Sequence, residues 1–207
     1  FDPGILYYAP QGWTSDDTDA AERVKIQYGT SMCYPVSSMG SHVSVVPNHQ
    51  LNRKTPLHTR ANVAYFGTFG YELDLNKLSD EEIREVKQQI TFMKEYRELI
   101  QFGTFYRLKS PFEGNETAWM TVSEDKKTAL VFWYRERNVV NADFTRVRLQ
   151  GLDPDLIYRN EYNGTENYGD ELMNLGLLTT DCTAGEPTSE DEPCTDYESR
   201  IYVLTAK

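Results

Sequence analysis

Three carboxylates lie within four positions near the start of the chain, at Asp16, Asp17 and Asp19. They follow an apolar and aromatic run, Ile5–Tyr8, and precede a segment rich in Ala, Glu, Arg and Lys. A buried strand that ends in acidic residues and leads into a helix is typical of an α/β active-site edge. The alternative is structural: Ser15 or Thr18 caps the helix, and the aspartates interact favourably with its dipole. Spacing alone leaves both interpretations open and slightly favours the cap.

Carboxylates of this kind would support the hydrolysis of a glycoside. That reaction needs one carboxyl group as an acid and a second as a nucleophile or base on the other side of the sugar. Either Asp16 or Asp17 fits one of these two roles. Trp13 lies three positions before Asp16, and its ring offers an apolar surface for the C–H face of a pyranose.

The other potentially reactive residues match no motif for a different chemistry. The three histidines form neither an HxxxH nor an HExxH pattern, and the cysteines lack zinc-binding spacing. GxGxxG, Walker and GxSxG motifs do not occur in the sequence. We therefore expect no metal, no cofactor and no serine-hydrolase site.

The charge and hydropathy of the chain limit the classes of partner that it can bind. The formal net charge is -11 over 207 residues, which argues against nucleic acid and anionic membrane surfaces because both would repel the protein. No apolar run approaches 18 residues, so the sequence predicts no membrane span. The 14 tyrosines and 3 tryptophans suit a neutral, hydroxyl-rich ligand.

Strands and helices alternate in the first half of the chain. The best-defined helix is predicted over Asp80–Phe102, where Ser79 and Glu82 have the spacing of a capping box and apolar residues recur at helical intervals. On the helix predicted over Asp19–Tyr28, Arg23 is assigned to the solvent-facing side. The remaining predictions are a buried strand at Ile5–Tyr8, a helix at Leu57–Phe66 and a strand at Phe69–Leu73.

After Gly103 the pattern changes to short β-rich runs separated by turn residues, which predicts an antiparallel β-sandwich. The predicted strands are Ala118–Val122, Thr128–Tyr134, Phe144–Leu149, Leu156–Asn160, Glu171–Met173 and Arg200–Thr205. We therefore expect two domains, an α/β domain over residues 1–103 and an all-β domain over residues 104–207.

Cysteines and sequons point to an oxidising compartment. Cys182 and Cys194 flank an acidic segment without apolar residues, and a disulfide closing this loop would stabilise the fold by roughly 3 kcal/mol. Asn115 and Asn163 begin N-glycosylation sequons. Cys33, between Met32 and Tyr34, is expected to be a buried free thiol. These features together favour secretion.

The start of the chain is unusual for a complete protein. It reads Phe-Asp-Pro-Gly, without an initiator methionine or a signal peptide. We expect a fragment of a longer protein or the product of a cleavage.

Several long motifs resemble the microbial α-galactosidases of glycoside hydrolase family 36. They cover nearly the whole chain, at Phe1–Tyr8, Trp13–Ala20, Lys25–Ser31, Gly40–His49, Phe66–Asp74, Tyr106–Leu108, Ser110–Glu113 and Gly169–Asn174. The resemblance implies that the chain contains the last units of a (β/α)8 barrel followed by a C-terminal β domain. It also implies retaining hydrolysis of terminal α-galactosyl groups in melibiose- and raffinose-type oligosaccharides.

The resemblance assigns separate roles to the residues around Asp16. Asp16 matches the family's acid/base aspartate, and Trp13 would help to shape the substrate pocket. Trp13 and Asp17 are candidate substrate-binding residues, although Asp17 would mainly cap the helix or orient its neighbours. The family's nucleophile belongs to a Lys-Trp-Asp motif, which does not occur in this sequence. The remainder of a longer polypeptide is therefore an expected partner, and the 207 residues alone are expected to be inactive. A homo-oligomer is also implied.

The acidic segment between Cys182 and Cys194 departs from the bacterial pattern, which favours a secreted member and suggests a fungal one. Two alternatives stay open at this point. One is a non-catalytic carbohydrate-binding or oligomerisation module in which Asp16 serves only as a cap. The other is a related α-glycosidase or transglycosylase with a different sugar preference.

Overall fold

The computed structural model describes residues 2–140, 144–179 and 196–207. The chain separates into two compact units, one ending at Phe102 and one beginning at Gly103. Strands and helices alternate in the first unit and antiparallel strands dominate the second. The predicted fold class, α/β followed by an all-β domain, is confirmed.

The first unit is built on a three-stranded parallel sheet in the order β1-β2-β3. Its strands are β1 (Gly12–Trp13), β2 (Met39–Ser44) and β3 (Thr68–Glu72). Helices α1 (Ala20–Thr30) and α2 (Leu57–Ala64) connect them, and α3 (Asp80–Phe102) follows the last strand. Parallel neighbours require such crossover connections, and the carboxyl ends of the strands therefore share one edge of the sheet.

A buried glutamine ties α1 to the rest of this unit. The Gln27 side chain donates to the carbonyl oxygens of Val63 and Phe66 at 2.9 and 3.1 Å. Its own oxygen accepts from the Ser41 hydroxyl at 2.7 Å. Because these donors and acceptors are satisfied inside the protein, the polar side chain fixes α1 against β2 without leaving an unpaired buried group.

Helix α3 has the bounds that the sequence predicts, Asp80–Phe102. The capping box is formed: the Ser79 backbone N–H donates to the Glu82 carboxylate at 2.8 Å, and the Glu82 N–H donates to the Ser79 hydroxyl at 3.2 Å. The buried residues on this helix are Val86, Gln89, Met93 and Ile100. Local capping and helical periodicity agree here, which is why the prediction succeeded.

The predicted buried strand at Ile5–Tyr8 is wrong. Residues Pro3–Tyr7 form a 3₁₀ helix, and Tyr7 and Tyr8 are exposed. Asp2 caps this helix by accepting from the Gly4 N–H at 2.8 Å, and Pro3 is suited to the first helical turn. These local features outweigh the strand propensity of the aromatic run.

The second unit contains a six-stranded antiparallel sheet in the order β4-β5-β6-β11-β8-β9 and a two-stranded sheet that pairs β7 with β10. The large sheet consists of β4 (Thr104–Lys109), β5 (Glu116–Val122), β6 (Thr128–Arg135), β8 (Ile157–Asn160), β9 (Glu166–Tyr168) and β11 (Glu198–Ala206). The small sheet consists of β7 (Arg146–Val147) and β10 (Leu177–Leu178), and helix α4 spans Gly169–Asn174.

One face of the large sheet forms the core of this unit. Trp133, Tyr158 and Tyr202 are buried there with Val147 and Leu177, which come from the small sheet. The small sheet therefore acts as a second layer, which gives the unit the sandwich-like character expected of an antiparallel domain.

Three details of the second unit differ from the predictions. The predicted strand Glu171–Met173 lies within helix α4, where Asp170 and Glu171 occupy the first turn and favour the helix dipole. Only Arg146–Val147 of the run 144–149 is a strand. Strand β4, which begins directly after Gly103, is not among the predicted strands.

Two further features complete the description of the chain. Cys33 is exposed, so the predicted buried thiol is wrong; the turn between α1 and β2 holds it at the surface. Within the described ranges, no helix has the length and apolar composition needed to cross a membrane.

Candidate active site

The predicted site residues lie where β1 meets α1. Trp13 ends β1, and residues 14–19 form the loop that leads into α1. This loop leaves the carboxyl end of a parallel strand, which is the edge of the sheet where α/β proteins place their reactive groups.

Asp19 is the helix cap. Its carboxylate is buried, accepts from the Glu22 N–H at 3.1 Å and forms an ion pair with the Arg53 guanidinium. The structural interpretation that Ser15 or Thr18 caps the helix is therefore wrong, because the cap lies further along the chain. The Asp19 carboxylate therefore has a structural role.

Asp17 shapes the loop. Its carboxylate accepts from the Asp19 N–H at 3.0 Å, and its own N–H donates to the Ser15 hydroxyl at 3.1 Å. These two local bonds bend the chain between Trp13 and α1 in the manner of an Asx turn.

Asp16 differs from both neighbours. Its side chain is exposed, and within the described part of the chain its carboxylate takes part in no hydrogen bond or ion pair. Of the three aspartates, Asp16 is thus the one whose carboxyl group remains available for a ligand.

The Trp13 ring packs against Gly40 and His42 of the second strand. A Cβ atom at Gly40 would approach the Trp13 ring to 2.9 Å, so the glycine makes room for the indole. The centroids of the Trp13 and His42 rings are 4.7 Å apart, and the Arg23 guanidinium carbon lies 5.3 Å from the Trp13 ring centroid. The indole remains 40% exposed, so part of its surface stays open for a ligand.

Arg23 was assigned to the wrong side of α1. It is buried, and its Nη2 donates to the Gly40 carbonyl oxygen at 2.6 Å while its Nη1 reaches the Ser15 carbonyl oxygen at 3.4 Å. The signal was present in the spacing, since Arg23 lies three and four positions from Ala20 and Gln27 on the inner stripe. Its charge led to the opposite assignment.

The charge of Arg23 is balanced inside the first unit. Burial lowers the pKa of its guanidinium to about 10, while the negative charges of Asp17 and Glu72 act in the opposite direction. The side chain therefore remains protonated at neutral pH, and it places a fixed positive charge beneath the loop.

His42 and Glu72 are two further residues that the sequence did not single out. Nδ1 of His42 lies 3.9 Å from a Glu72 carboxylate oxygen. Burial lowers the pKa of His42 below its usual value, with Glu72 opposing the shift and Arg23 adding to it. The imidazole next to Trp13 is therefore mainly neutral at pH 7.

A cavity of about 400 Å³ adjoins Trp13 at the start of β2, and Thr14, Cys33 and Tyr34 help to line it. Within the described residues, no cluster of three or more His, Cys, Asp or Glu side chains has the arrangement of a metal site. The groups at the loop that could take part in chemistry or support it are the Asp16 carboxylate, the Trp13 indole and the buried Arg23 guanidinium.

Two family models match the chain. The model described as Melibiase matches residues 1–103, and the model described as Glycosyl hydrolase family 36 C-terminal domain matches residues 116–204. The two matches together cover most of both structural units.

Similar curated proteins are α-galactosidases. Alpha-galactosidase AgaA of Geobacillus stearothermophilus is 57% identical over 177 residues, which is 86% of this chain and 24% of that protein. Alpha-galactosidase 1 of Pediococcus pentosaceus is 48% identical over 206 residues, which is 100% of this chain and 27% of that protein. The chain thus spans about a quarter of the length of these relatives.

Solved structures match over the whole chain. The crystal structure of the family 36 α-galactosidase AgaA from Geobacillus stearothermophilus is 51% identical, with a TM-score of 0.91 over 100% of this chain and 27% of that one. A variant of that protein in complex with raffinose has a TM-score of 0.91 at 50% identity and the same coverage of both chains.

Proposed function

Because this chain belongs to glycoside hydrolase family 36, we propose that it is the C-terminal portion of a retaining α-galactosidase. The longer protein, called the full-length enzyme below, would hydrolyse terminal α-D-galactosyl residues of melibiose- and raffinose-type oligosaccharides. The binding of raffinose and stachyose by variants of the Geobacillus stearothermophilus enzyme supports this substrate class.

The proposal rests on the observation that the three aspartate side chains make different contacts. Asp19 is used by the helix cap and Asp17 by the loop, whereas the Asp16 carboxyl group is exposed at the carboxyl end of a parallel strand. An acid/base residue must exchange protons with the glycosidic oxygen and with a water molecule, so its carboxyl group has to remain accessible to both.

In the proposed mechanism Asp16 acts twice. It first protonates the departing glycosidic oxygen while a second carboxylate attacks the anomeric carbon and forms a covalent galactosyl intermediate. The Asp16 carboxylate then removes a proton from water, which attacks the intermediate and restores the α configuration. The attacking carboxylate comes from outside these 207 residues, since they contain no Lys-Trp-Asp motif.

Trp13 would support this chemistry by shaping the pocket beside Asp16. Its indole is held by Gly40, His42 and Arg23 but keeps an open surface. An aromatic face of this kind binds the apolar side of a sugar ring. Asp17 would act through the loop rather than by direct contact with the substrate.

The experiment that tests the function follows the configuration of the released sugar. The full-length enzyme is incubated with raffinose or melibiose, and the anomeric protons of galactose are followed by NMR. We expect α-galactose to appear first and β-galactose to grow only at the rate of mutarotation. Initial release of β-galactose, or no release of galactose, would contradict the proposal.

We further propose that the full-length enzyme is a secreted homo-oligomer with a Cys182–Cys194 disulfide and glycans at Asn115 and Asn163. Both asparagines are exposed, which a glycosylation acceptor requires. The Asn115 amide donates to the Arg137 carbonyl oxygen at 2.7 Å, so Asn163 is the more accessible acceptor of the two. Cys182 and Cys194 lie outside the described residues.

The disulfide can be tested by alkylation without prior reduction. The denatured chain is treated with iodoacetamide, and peptides containing each cysteine are examined by mass spectrometry. We expect Cys33 alone to be alkylated before reduction and all three cysteines after it. Alkylation of all three cysteines before reduction would exclude the pairing and weaken the argument for secretion.

A further inference from the structure

We propose that Arg23 is a positioning residue that holds the Asp16 loop in the geometry needed for proton transfer. This inference rests on the proposed function, because it assigns the support of the acid/base residue to a buried cation. Arg23 itself touches no reacting atom; it acts through Ser15 and Trp13.

The guanidinium of Arg23 joins three separate parts of the site. It donates to the carbonyl oxygen of Gly40 on β2 at 2.6 Å and to that of Ser15 in the loop at 3.4 Å. Its carbon lies 5.3 Å from the Trp13 ring centroid, within the range of a cation–π contact. Trp13 and Ser15 are the two contact points that precede Asp16 in the chain.

Asp16 is thereby held between two fixed points. On one side, Arg23 links Ser15 to Gly40 of β2 and packs against the Trp13 ring. On the other, the buried Asp19 carboxylate attaches the end of the loop to α1. The exposed Asp16 carboxyl group has no bond of its own within the described part of the chain, so its position depends on these two anchors.

The chemistry of the site explains why this anchor is an arginine. Arg23 is only 3% exposed, and it serves two carbonyl oxygens and an aromatic face at once, which the planar guanidinium can do with donors in fixed directions. A lysine ammonium is a compact charge on a flexible stem and cannot reproduce this geometry. Asp17 and Glu72 compensate the buried charge, so the cation is retained there.

Arg60 provides a matched control. It is also a buried arginine of the same unit, and its Nη1 donates to a carbonyl oxygen of the same strand, that of Ser44, at 2.6 Å. It lies on α2, however, and its hydrogen bond goes to the sheet rather than to residues 13–17. Replacing either arginine by lysine removes a comparable buried contact, but only Arg23→Lys removes a direct contact with residues 13–17.

The test compares two substrates in the full-length enzyme. Raffinose has a leaving group that must be protonated, whereas a dinitrophenyl α-galactoside does not need this assistance. We expect Arg23→Lys to lower kcat on raffinose at least tenfold with KM within about threefold of the unmodified enzyme. On the aryl galactoside, azide should restore turnover, because this anion attacks the galactosyl intermediate without a general base.

The ratio of kcat/KM on the two substrates is the decisive readout, since it does not depend on the fraction of folded enzyme. We expect Arg23→Lys to change this ratio at least fivefold and Arg60→Lys to leave it within about twofold. An unchanged ratio for Arg23→Lys, or an equal change for both variants, would overturn the positioning role. If Asp16→Ala also leaves the ratio unchanged, the proposed function fails instead.

Discussion

Asp16→Ala in the full-length enzyme is expected to lower kcat/KM on raffinose by about 10²–10⁴-fold, which is the usual contribution of a general acid/base. The carboxyl group is exposed and makes no structural bond within the described residues. Its removal should therefore abolish proton transfer without unfolding the loop. Steady-state kinetics at the pH of maximal activity provide the measurement.

A second substrate separates loss of the acid from general damage to the enzyme. On a dinitrophenyl α-galactoside the Asp16→Ala variant should form the galactosyl intermediate readily, and azide should then accelerate turnover and yield α-galactosyl azide. Asp17→Ala is the matched comparison, because it removes a neighbouring carboxylate whose hydrogen bond shapes the loop. We expect it to lose less raffinose activity than Asp16→Ala and to gain less from azide, because the Asp16 carboxyl group is still present.

The contrary results are equally specific. Full raffinose activity in Asp16→Ala would exclude its role as the acid/base and would favour a module that binds carbohydrate or mediates assembly. Azide acceleration in Asp17→Ala but not in Asp16→Ala would exchange the roles of the two residues.

Asp19→Ala is expected to destabilise the start of α1 by about 2 kcal/mol, combining a lost helix cap with a partly solvent-screened ion pair. The buried Asp19 carboxylate accepts from Glu22 and pairs with Arg53, whose side chain is 22% exposed and can therefore be partly rehydrated. A loss of this size should speed amide hydrogen exchange in the first turn of α1 about 30-fold.

Hydrogen exchange followed by mass spectrometry of peptides covering α1 provides this measurement. Asp16→Ala is the control, and we expect it to leave exchange in α1 unchanged because its carboxylate does not contact the helix. Equal exchange rates in Asp19→Ala and the unmodified protein would show that another group caps α1. Asp16→Ala should thus affect catalysis and Asp19→Ala should affect stability, although the two residues lie within four positions of each other.

Features that depend on neighbouring residues along the chain were predicted well. Helix α3 has its predicted bounds because Ser79 and Glu82 cap it directly and its apolar positions recur every three to four residues. The change from α/β repeats to antiparallel strands was likewise visible, since helical periodicity gives way to short β-rich runs. These signals arise from backbone geometry and need no knowledge of distant contacts.

Two strand predictions failed where opposing local tendencies had to be weighed. The aromatic run at Ile5–Tyr8 suggested a strand, but Asp2 and Pro3 start a 3₁₀ helix. The run at Glu171–Met173 also suggested a strand, but the acidic residues of its first turn accompany a helix. In both places a capping or first-turn feature agrees with the observed helix, whereas the β propensity of the side chains predicted a strand.

The sequence by itself determined the fold class and the family, because motif spacing and periodicity are local properties. It also predicts the segment in which a catalytic carboxylate should lie. Only the tertiary structure showed how the three aspartates differ, since the roles of Asp17 and Asp19 depend on hydrogen bonds and on Arg53, 34 positions after Asp19. It alone showed that Arg23 is buried beneath the loop, because burial of a charged side chain depends on the carbonyl oxygens, aromatic face and carboxylates that the fold brings to it.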